Sequence, residues 1–230
     1  MDYNNDGKND LLAGDSAGNV WIFINNGSKK APELAAGKKV EADGKAITAS
    51  RRKYKKEGGR RVPDGITLGS HELAQIYSKV HMADWDGDGL KDLLVGHDTN
   101  IIFYKNQGTK TAPKFAAPAK IPTKRGQFPR RPSPYVVDWD GDGVNDLLVG
   151  SDAAKVYFYR NTGSNTKPQL ATSDILDLKG DGFNGCYRCR IEVTDWNNDG
   201  KKDVLVGNYS SSQKDGKRYS GGNIWLFLGK

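Results

Sequence analysis

Short apolar runs separated by glycine, proline and asparagine make up most of this chain. Four runs end in glycine: LLAG from Leu11, LLVG from Leu93, LLVG from Leu147 and VLVG from Val204. Each is followed by an aromatic or β-branched run: VWIF from Val20, IIFY from Ile101, VYFY from Val156 and IWLF from Ile224. Such short runs, bounded by turn residues, predict strands and not helices. The pattern therefore predicts an all-β fold.

An acidic loop precedes each glycine-ending strand. It reads DYNNDGKND from Asp2, DWDGDGLKD from Asp84, DWDGDGVND from Asp138 and DWNNDGKKD from Asp195. Side-chain oxygens at positions 1, 3, 5 and 9, a backbone carbonyl at position 7 and glycine at 6 suit Ca²⁺, which takes oxygen ligands at about 2.3–2.6 Å. No Glu stands at position 12, so the loop differs from an EF-hand and leads into a strand. Ordinary Asp-Gly turns are the alternative, but four aligned copies favour metal.

The predicted metal ligands come from the same five positions in all four loops, and about four Ca²⁺ are expected. They are Asp2, Asn4, Asp6, Lys8 and Asp10; Asp84, Asp86, Asp88, Leu90 and Asp92; Asp138, Asp140, Asp142, Val144 and Asp146; and Asp195, Asn197, Asp199, Lys201 and Asp203.

The loops recur at spacings of 82, 54 and 57 residues. Several strands per period predict a β-propeller with four-stranded blades. Each period would supply strand A before the loop, B after it, then C and a looser D. We expect one repeat domain with blades at about 1–48, 73–126, 127–180 and 181–230 and an insertion at about 50–72. The first blade would lack strand A and the last strand D, and we interpret the N-terminus as a processed or truncated edge.

A second motif keeps the same period: NNGSKKAPEL from Asn25, NQGTKTAPKF from Asn106 and NTGSNTKPQL from Asn161. The acidic loop with its following aromatic strand resembles the FG-GAP or VCBS-type repeat, found in integrin α-subunit heads and many bacterial extracellular proteins. The resemblance implies a propeller with Ca²⁺ in the A–B loops. It also implies adhesion, glycan or protein binding, or in some members polysaccharide lyase activity.

Position 2 of the loops is aromatic in every copy: Tyr3, Trp85, Trp139 and Trp196. A row of aromatic rings could stack on sugars, but a position fixed by the repeat favours packing between blades.

The net charge of +7 is unevenly placed, because residues 29–61 hold twelve basic and four acidic residues, a net of +8. A basic stretch such as RRKYKKEGGRR from Arg51 is often a solvated loop, and we expect no nucleic-acid binding because no recognised reading module accompanies it. No run approaches the ~18 apolar residues of a membrane span. The start MDYNNDG is not a signal peptide, since no apolar segment follows the methionine.

The two cysteines, Cys186 and Cys189, have too few nearby ligands for a zinc site, and Arg190 stands where a haem-attachment motif needs His. A short disulfide is the preferred interpretation, and two free thiols are the alternative.

Adjacent strands alternate in direction, so the B–C and D–A connections share the face opposite the acidic loops. Two enlarged connections, at about 50–72 and 208–222, belong to that face, where departures from a repeat often carry function. The candidate ligand residues there are Arg51, Arg52, Lys53, Arg60, His71, His97, Tyr209, Arg218 and Tyr219.

We therefore expect a secreted or cell-surface binding or adhesion module without catalysis, with a protein or an acidic glycan as its partner. One alternative is a lyase on acidic polysaccharide, with His or Tyr as the base. Another is a structural subunit of a larger surface assembly. The flat apolar strand Ile224–Leu228 is expected to pair with a preceding segment or another chain.

Overall fold

The computed structural model describes residues 1–48, 50–68, 77–152, 155–180, 183 and 187–230. Within these ranges every regular element is a β-strand, so the all-β prediction is confirmed. No helix in the same ranges has the length and apolarity needed to cross a membrane. The side chains of 50–56, 60–68, 211–214, 218 and 219 are not described.

The strands follow one another in chain order. Sheet 1 contains β1 (Leu11–Gly14), β2 (Val20–Phe23) and β3 (Lys38–Lys39). Two hairpins follow, β4 (Glu41–Ala42) with β5 (Lys45–Ala46) and β6 (Ser50–Glu57) with β7 (Arg60–Leu68). Sheet 2 contains β8 (Lys79–Ala83), β9 (Asp92–His97), β10 (Asn100–Tyr104) and β11 (Ala119–Lys120).

Sheet 3 contains β12 (Ser133–Val137), β13 (Asp146–Gly150), β14 (Val156–Tyr159) and β15 (Asp174–Ile175). Sheet 4 contains β16 (Arg190–Thr194), β17 (Asp203–Gly207) and β20 (Ile224–Phe227). A third hairpin, β18 (Ser210–Lys214) with β19 (Lys217–Gly221), is inserted between β17 and β20.

All pairings between the named strands are antiparallel, and each sheet keeps the sequential order A, B, C, D predicted from the repeat. Sheets 2 and 3 have four strands, sheet 1 has B, C and D, and sheet 4 has A, B and C. Met1 and Asp10 exchange two backbone hydrogen bonds of 2.7 and 3.2 Å. This pair corresponds to Ala83 opposite Asp92 in sheet 2, so the repeat alignment extends to Met1.

The two enlarged connections, predicted at about 50–72 and 208–222, form β-hairpins where the structure describes them, and residues 69–72 lie outside the described ranges. Their turns are Gly58–Gly59 and Asp215–Gly216, and all four residues have positive φ, between 51° and 79°. Turns with two positive φ values match the right-handed twist of paired strands, which is why Gly-Gly and Asp-Gly favour hairpins. Because β17 begins at the acidic loop, the β18–β19 hairpin leaves from the opposite end of its sheet.

Three apolar clusters fill the spaces between consecutive sheets. Val20 and Leu93 belong to the cluster between sheets 1 and 2, Leu94 and Leu147 to the one between sheets 2 and 3. Leu148 belongs to the third cluster, between sheets 3 and 4. Since successive side chains of a strand point to opposite faces, neighbouring leucines enter different clusters. The central strands β9 and β13 are therefore buried along their whole length.

The glycine at the end of the apolar run in strand B allows the first three sheets to approach the sheet that follows them closely. A Cβ atom on Gly14, Gly96 or Gly150 would overlap the backbone at Ser78, Pro132 or Cys189, respectively. These contacts lie where strand A of the following sheet begins. The final glycine of the LLVG pattern is thus required by packing between sheets.

Candidate functional site

The acidic loops are folded by hydrogen bonds from glycine to the first aspartate. The N–H of the position-6 glycine donates to the position-1 carboxylate at 2.9 Å in loop 1, 2.8 Å in loop 2, 3.0 Å in loop 3 and 2.9 Å in loop 4. These glycines have φ between +83° and +85°. Other residues rarely adopt that conformation, which explains glycine at position 6.

The position-9 aspartate links the loop to the end of strand C. The two oxygens of Asp92 accept hydrogen bonds from the backbone N–H of Trp85 (3.1 Å) and of Asn106 (2.8 Å). The same paired bonds form at Asp10, Asp146 and Asp203. Burial raises the pKa of Asp92 to about 6 and also raises the pKa of Asp146. Each carboxylate oxygen has a second lone pair, so these bonds leave ligation of a metal possible.

Loops 2 and 3 bring three carboxylates together. Oxygens of Asp84, Asp86 and Asp88 lie within 4.8 Å of one another, and the same holds for Asp138, Asp140 and Asp146. Oδ1 of Asp84 is buried without a hydrogen-bond partner in the described residues. Three carboxylate oxygens this close together form a donor set that suits a hard cation, and in loop 2 one of the residues also has an unsatisfied buried oxygen.

Loops 1 and 4 differ because position 3 is asparagine. The Asn4 amide donates to Asp6 at 3.4 Å, and the Asn197 amide donates to Asp199 at 3.1 Å. Among the described residues, no cluster of three acidic groups forms in these two loops. These two loops therefore present fewer grouped carboxylates than loops 2 and 3.

Basic side chains lie over the carboxylates of loops 2 and 3. The Lys105 ammonium contacts Asp86 and lies 2.7 Å from Asp88, and the Arg160 guanidinium lies 2.7 Å from Asp140 and 3.0 Å from Asp142. The hydrogen bond from Lys105 lowers the pKa of Asp88, and that from Arg160 lowers the pKa of Asp142. These cations use oxygens that a metal ion would also need.

These basic residues were not predicted from the sequence, although the sequence contains a signal for them. A basic residue follows strand C only in the two repeats that have aspartate at position 3. In the other two repeats the corresponding residues are Ile24 and Leu228. The basic side chain thus accompanies the extra carboxylate.

The position-2 aromatic residues pack between sheets, as predicted, in three of the four loops. Tyr3, Trp85 and Trp139 join the first, second and third apolar clusters. Trp196 differs, because 59% of its surface is exposed.

At the end of the sheets opposite the acidic loops, one arginine lies among three tyrosines. The Arg188 guanidinium lies 5.4 Å from the ring centre of Tyr77, 5.5 Å from Tyr187 and 4.9 Å from Tyr209. We call these four residues the Arg188 cluster. Nε of Arg188 is buried and has no hydrogen-bond partner in the described part of the chain.

Further basic residues surround this cluster. Arg131 lies 4.7 Å from the Tyr77 ring and forms a buried ion pair of 3.2 Å with Asp152. Lys79 is 4% exposed, and its ammonium donates to the backbone carbonyl of Arg131. Burial, reinforced by neighbouring arginines that include Arg190, lowers the pKa of Lys79 to about 7. Among the described residues named here, the basic side chains Arg131, Lys79 and Arg190 outnumber the acidic one, Asp152.

The structure describes the side chains of only two of the predicted ligand residues, Tyr209 and His97. Tyr209 belongs to the Arg188 cluster, and its hydroxyl lies 3.0 Å from Ser220 Oγ. His97 is 7% exposed, and burial lowers its pKa. The side chains of Arg51, Arg52, Lys53, Arg60, His71, Arg218 and Tyr219 lie outside the described residues. Cys189 is disulfide-bonded. The sequence has one other cysteine, Cys186, which lies outside the described residues.

The fold and the loops define the class of protein. It is a repeat β-protein whose sheets each carry a glycine-folded aspartate loop between strands A and B. The family model for the FG-GAP-like repeat matches residues 84–149 and 138–206, which together cover more than half of the 230 residues. The chain belongs to the FG-GAP-like repeat family. Each match begins at one acidic loop and ends within strand B after the next.

No curated protein matches the chain. A similar solved structure is a mutant form of the Photorhabdus luminescens Tc holotoxin pore, with a TM-score of 0.41 and 17% identity. The similarity covers 93% of this chain and 8% of the toxin chain, so this chain spans less than a tenth of the length of the toxin chain.

Proposed function

We propose that this chain is a calcium-binding repeat module that acts in binding or adhesion outside the cell or at its surface. The observation that supports calcium is loop 2, where three carboxylates converge within 4.8 Å and Oδ1 of Asp84 is buried without a partner. An unsatisfied buried carboxylate oxygen is costly, and grouped carboxylates repel one another. A divalent cation removes both penalties.

In this proposal Asp84, Asp86 and Asp88 hold the ion in loop 2, and Asp138, Asp140 and Asp146 hold it in loop 3. The ion neutralises the carboxylates where strand A turns into strand B, so its role is structural. Loops 1 and 4 offer one carboxylate fewer. Because affinity rises with the charge of the ligands, we propose two tighter and two weaker sites.

Chelation tests this proposal. EDTA should lower the melting temperature by several degrees, and Ca²⁺ should restore it with the concentration dependence of mass action. Asp86→Asn should weaken the tight class of sites in a calorimetric calcium titration. Asp177→Asn, which changes an exposed carboxylate outside the loops, is the matched control. A melting curve that excess chelator leaves unchanged would exclude calcium as a structural ligand.

An acidic glycan is the partner class that we propose. The Arg188 cluster supports it, because a guanidinium among aromatic rings can donate to a carboxylate or sulfate while the rings stack on a sugar. The basic stretch 51–61 belongs to the hairpin that precedes β8 in the chain, and β8 begins at the same end of the molecule as this cluster. Both features favour an anionic ligand at the end of the sheets opposite the acidic loops.

Retention on a heparin or pectate matrix tests the partner class. Replacing Arg51, Arg52, Lys53, Lys55 and Lys56 with serine should make the protein elute at clearly lower salt, since exposed charges are screened over about 8 Å at physiological ionic strength. The matched control replaces five exposed lysines of the C–D connections with serine: Lys29, Lys30, Lys110, Lys114 and Lys167. Equal elution of the two variants would show that net charge, and not this face, causes retention.

A further inference from the structure

The repeat gives every sheet two distinct faces. In sheet 2, Leu93 and Val95 lie in the cluster shared with the preceding sheet, whereas Leu94 and Ile101 lie in the cluster shared with the following sheet. We call these the back face and the front face. The backbone register assigns corresponding residues in the other sheets to the same faces.

The front face of sheet 4 carries the same apolar pattern without its cover. One residue of strand C lies opposite the glycine that ends strand B in each sheet: Val20, Ile101, Val156 and Ile224. In the first three sheets this residue is 0%, 0% and 2% exposed, but Ile224 is 78% exposed. The difference lies in what packs on the sheet and not in the residue type.

Three more residues extend this exposed surface. Trp196 is 59% exposed, whereas its counterpart Trp85 is 2% exposed. Leu226 and Leu228 are 40% and 53% exposed. Four large apolar side chains left exposed at positions that face the following sheet in the other repeats are typical of an interaction site.

Sheet 1 carries the complementary half on its back face. Leu11 lies opposite Phe23, and Ala13 lies opposite Trp21, at positions that sheets 2, 3 and 4 turn toward the preceding sheet. Leu11 is 47% exposed, whereas its counterparts Leu93 and Leu147 are fully buried.

A hydrogen bond joins each of loops 2, 3 and 4 to the loop before it, and loop 1 has no such bond in the described residues. The side chain at loop position 8 donates to a backbone carbonyl at position 1 or 2 of the preceding loop. Lys91 donates to Asp2 at 2.9 Å, Asn145 donates to Asp84 at 2.6 Å, and Lys202 donates to Trp139 at 3.4 Å. Position 8 of loop 1 is Asn9, which is exposed and donates to no acceptor in the described ranges.

We propose that the front face of sheet 4 packs on the back face of sheet 1 of a second copy of this chain, head to tail. Each molecule carries both halves of an interface that its own sheets form three times, so a second copy can supply the missing half. Asn9 of one copy then donates to the backbone carbonyl at position 1 or 2 of loop 4 in the other. If the four sheets of one copy span half of a circle, two copies joined head to tail form a closed dimer. Otherwise further copies add to the free ends and form an open chain.

The contact should be weaker than the internal interfaces. Strand A of the following sheet contributes Val80 and Met82 to the first cluster. The back face of sheet 1 offers strands B and C, with Met1 at the position of the last residue of strand A. Association should therefore depend on protein concentration.

Sedimentation from micromolar to near-millimolar protein, with Ca²⁺ present, tests the proposal. The parent should associate, and a front variant (Ile224→Lys with Leu226→Lys) and a back variant (Leu11→Lys with Asn9→Ala) should each associate at least about tenfold more weakly. Ile175→Lys is the control, because Ile175 is 52% exposed on the outer strand β15. If the lysine pair unfolds sheet 4, Ile224→Thr retains a β-branched residue and should still weaken association.

Mixing the two variants separates head-to-tail contact from other dimers. The intact front face of the back variant meets the intact back face of the front variant, so the mixture should form a heterodimer more tightly than either variant associates with itself. A parent that stays monomeric throughout would overturn the proposal. Association of either variant by itself as strongly as the parent, which indicates a symmetric contact, would also overturn it.

Discussion

At the scale of single residues, each acidic loop combines oxygen ligands that are close in sequence with contacts to the residues that follow strand C. The oxygens at positions 1, 3, 5 and 9 follow from the sequence alone. The hydrogen bond that the position-9 carboxylate accepts from Asn106 and the approach of Lys105 depend on where strand C returns. Such contacts join residues that are distant in sequence, so a local pattern does not encode them.

Lys79 should make stability depend on pH above neutrality. Its folded pKa of about 7 lies below the ordinary lysine value of 10.5, because burial disfavours the charged form. Between pH 7 and 9 the folded protein loses this proton and the unfolded chain keeps it, so stability should rise with pH, on the order of 2 kcal/mol.

Urea unfolding at pH 7 and pH 9 measures this effect. Lys79→Met should remove most of the rise, and Lys45→Met, at an exposed lysine on β5, should leave it unchanged. A rise of equal size in Lys79→Met would assign the pH dependence to other groups.

At the scale of elements, the buried apolar strands were predicted from the sequence, and the polar strands of the inserted hairpins were not. β9 and β13 are fully buried runs bounded by an acidic loop and a turn, which is a strong local signal. The hairpin strands β6 and β18 read SRRKYKKE and SSSQK, without the apolar residues of a buried strand. Their turns, Gly58–Gly59 and Asp215–Gly216, were the available signal, because two-residue turns of this composition favour hairpins.

At the scale of the whole molecule, the sequence predicts the order of the sheets but not which faces remain uncovered. Trp85 and Trp196 occupy the same loop position in nearly identical segments, yet one is buried and the other exposed. Burial here is set by the neighbouring sheet and not by the residue or its repeat. In such arrays stability is approximately the sum of terms for each repeat and for each interface between neighbours.

That additivity predicts a gradient of hydrogen-exchange protection across the stack. β13 and β17 are both second strands, hydrogen-bonded to a partner on each side, so they differ chiefly in packing. β13 is buried throughout between two sheets, whereas Leu205 and Gly207 of β17 are only partly buried. In dilute protein the amides of β17 should exchange faster than those of β13, because sheet 4 can open by losing one interface. Mass-spectrometric exchange on peptides covering each strand measures the difference. Equal protection of the two strands would show that the sheets unfold as one cooperative unit, contrary to this expectation.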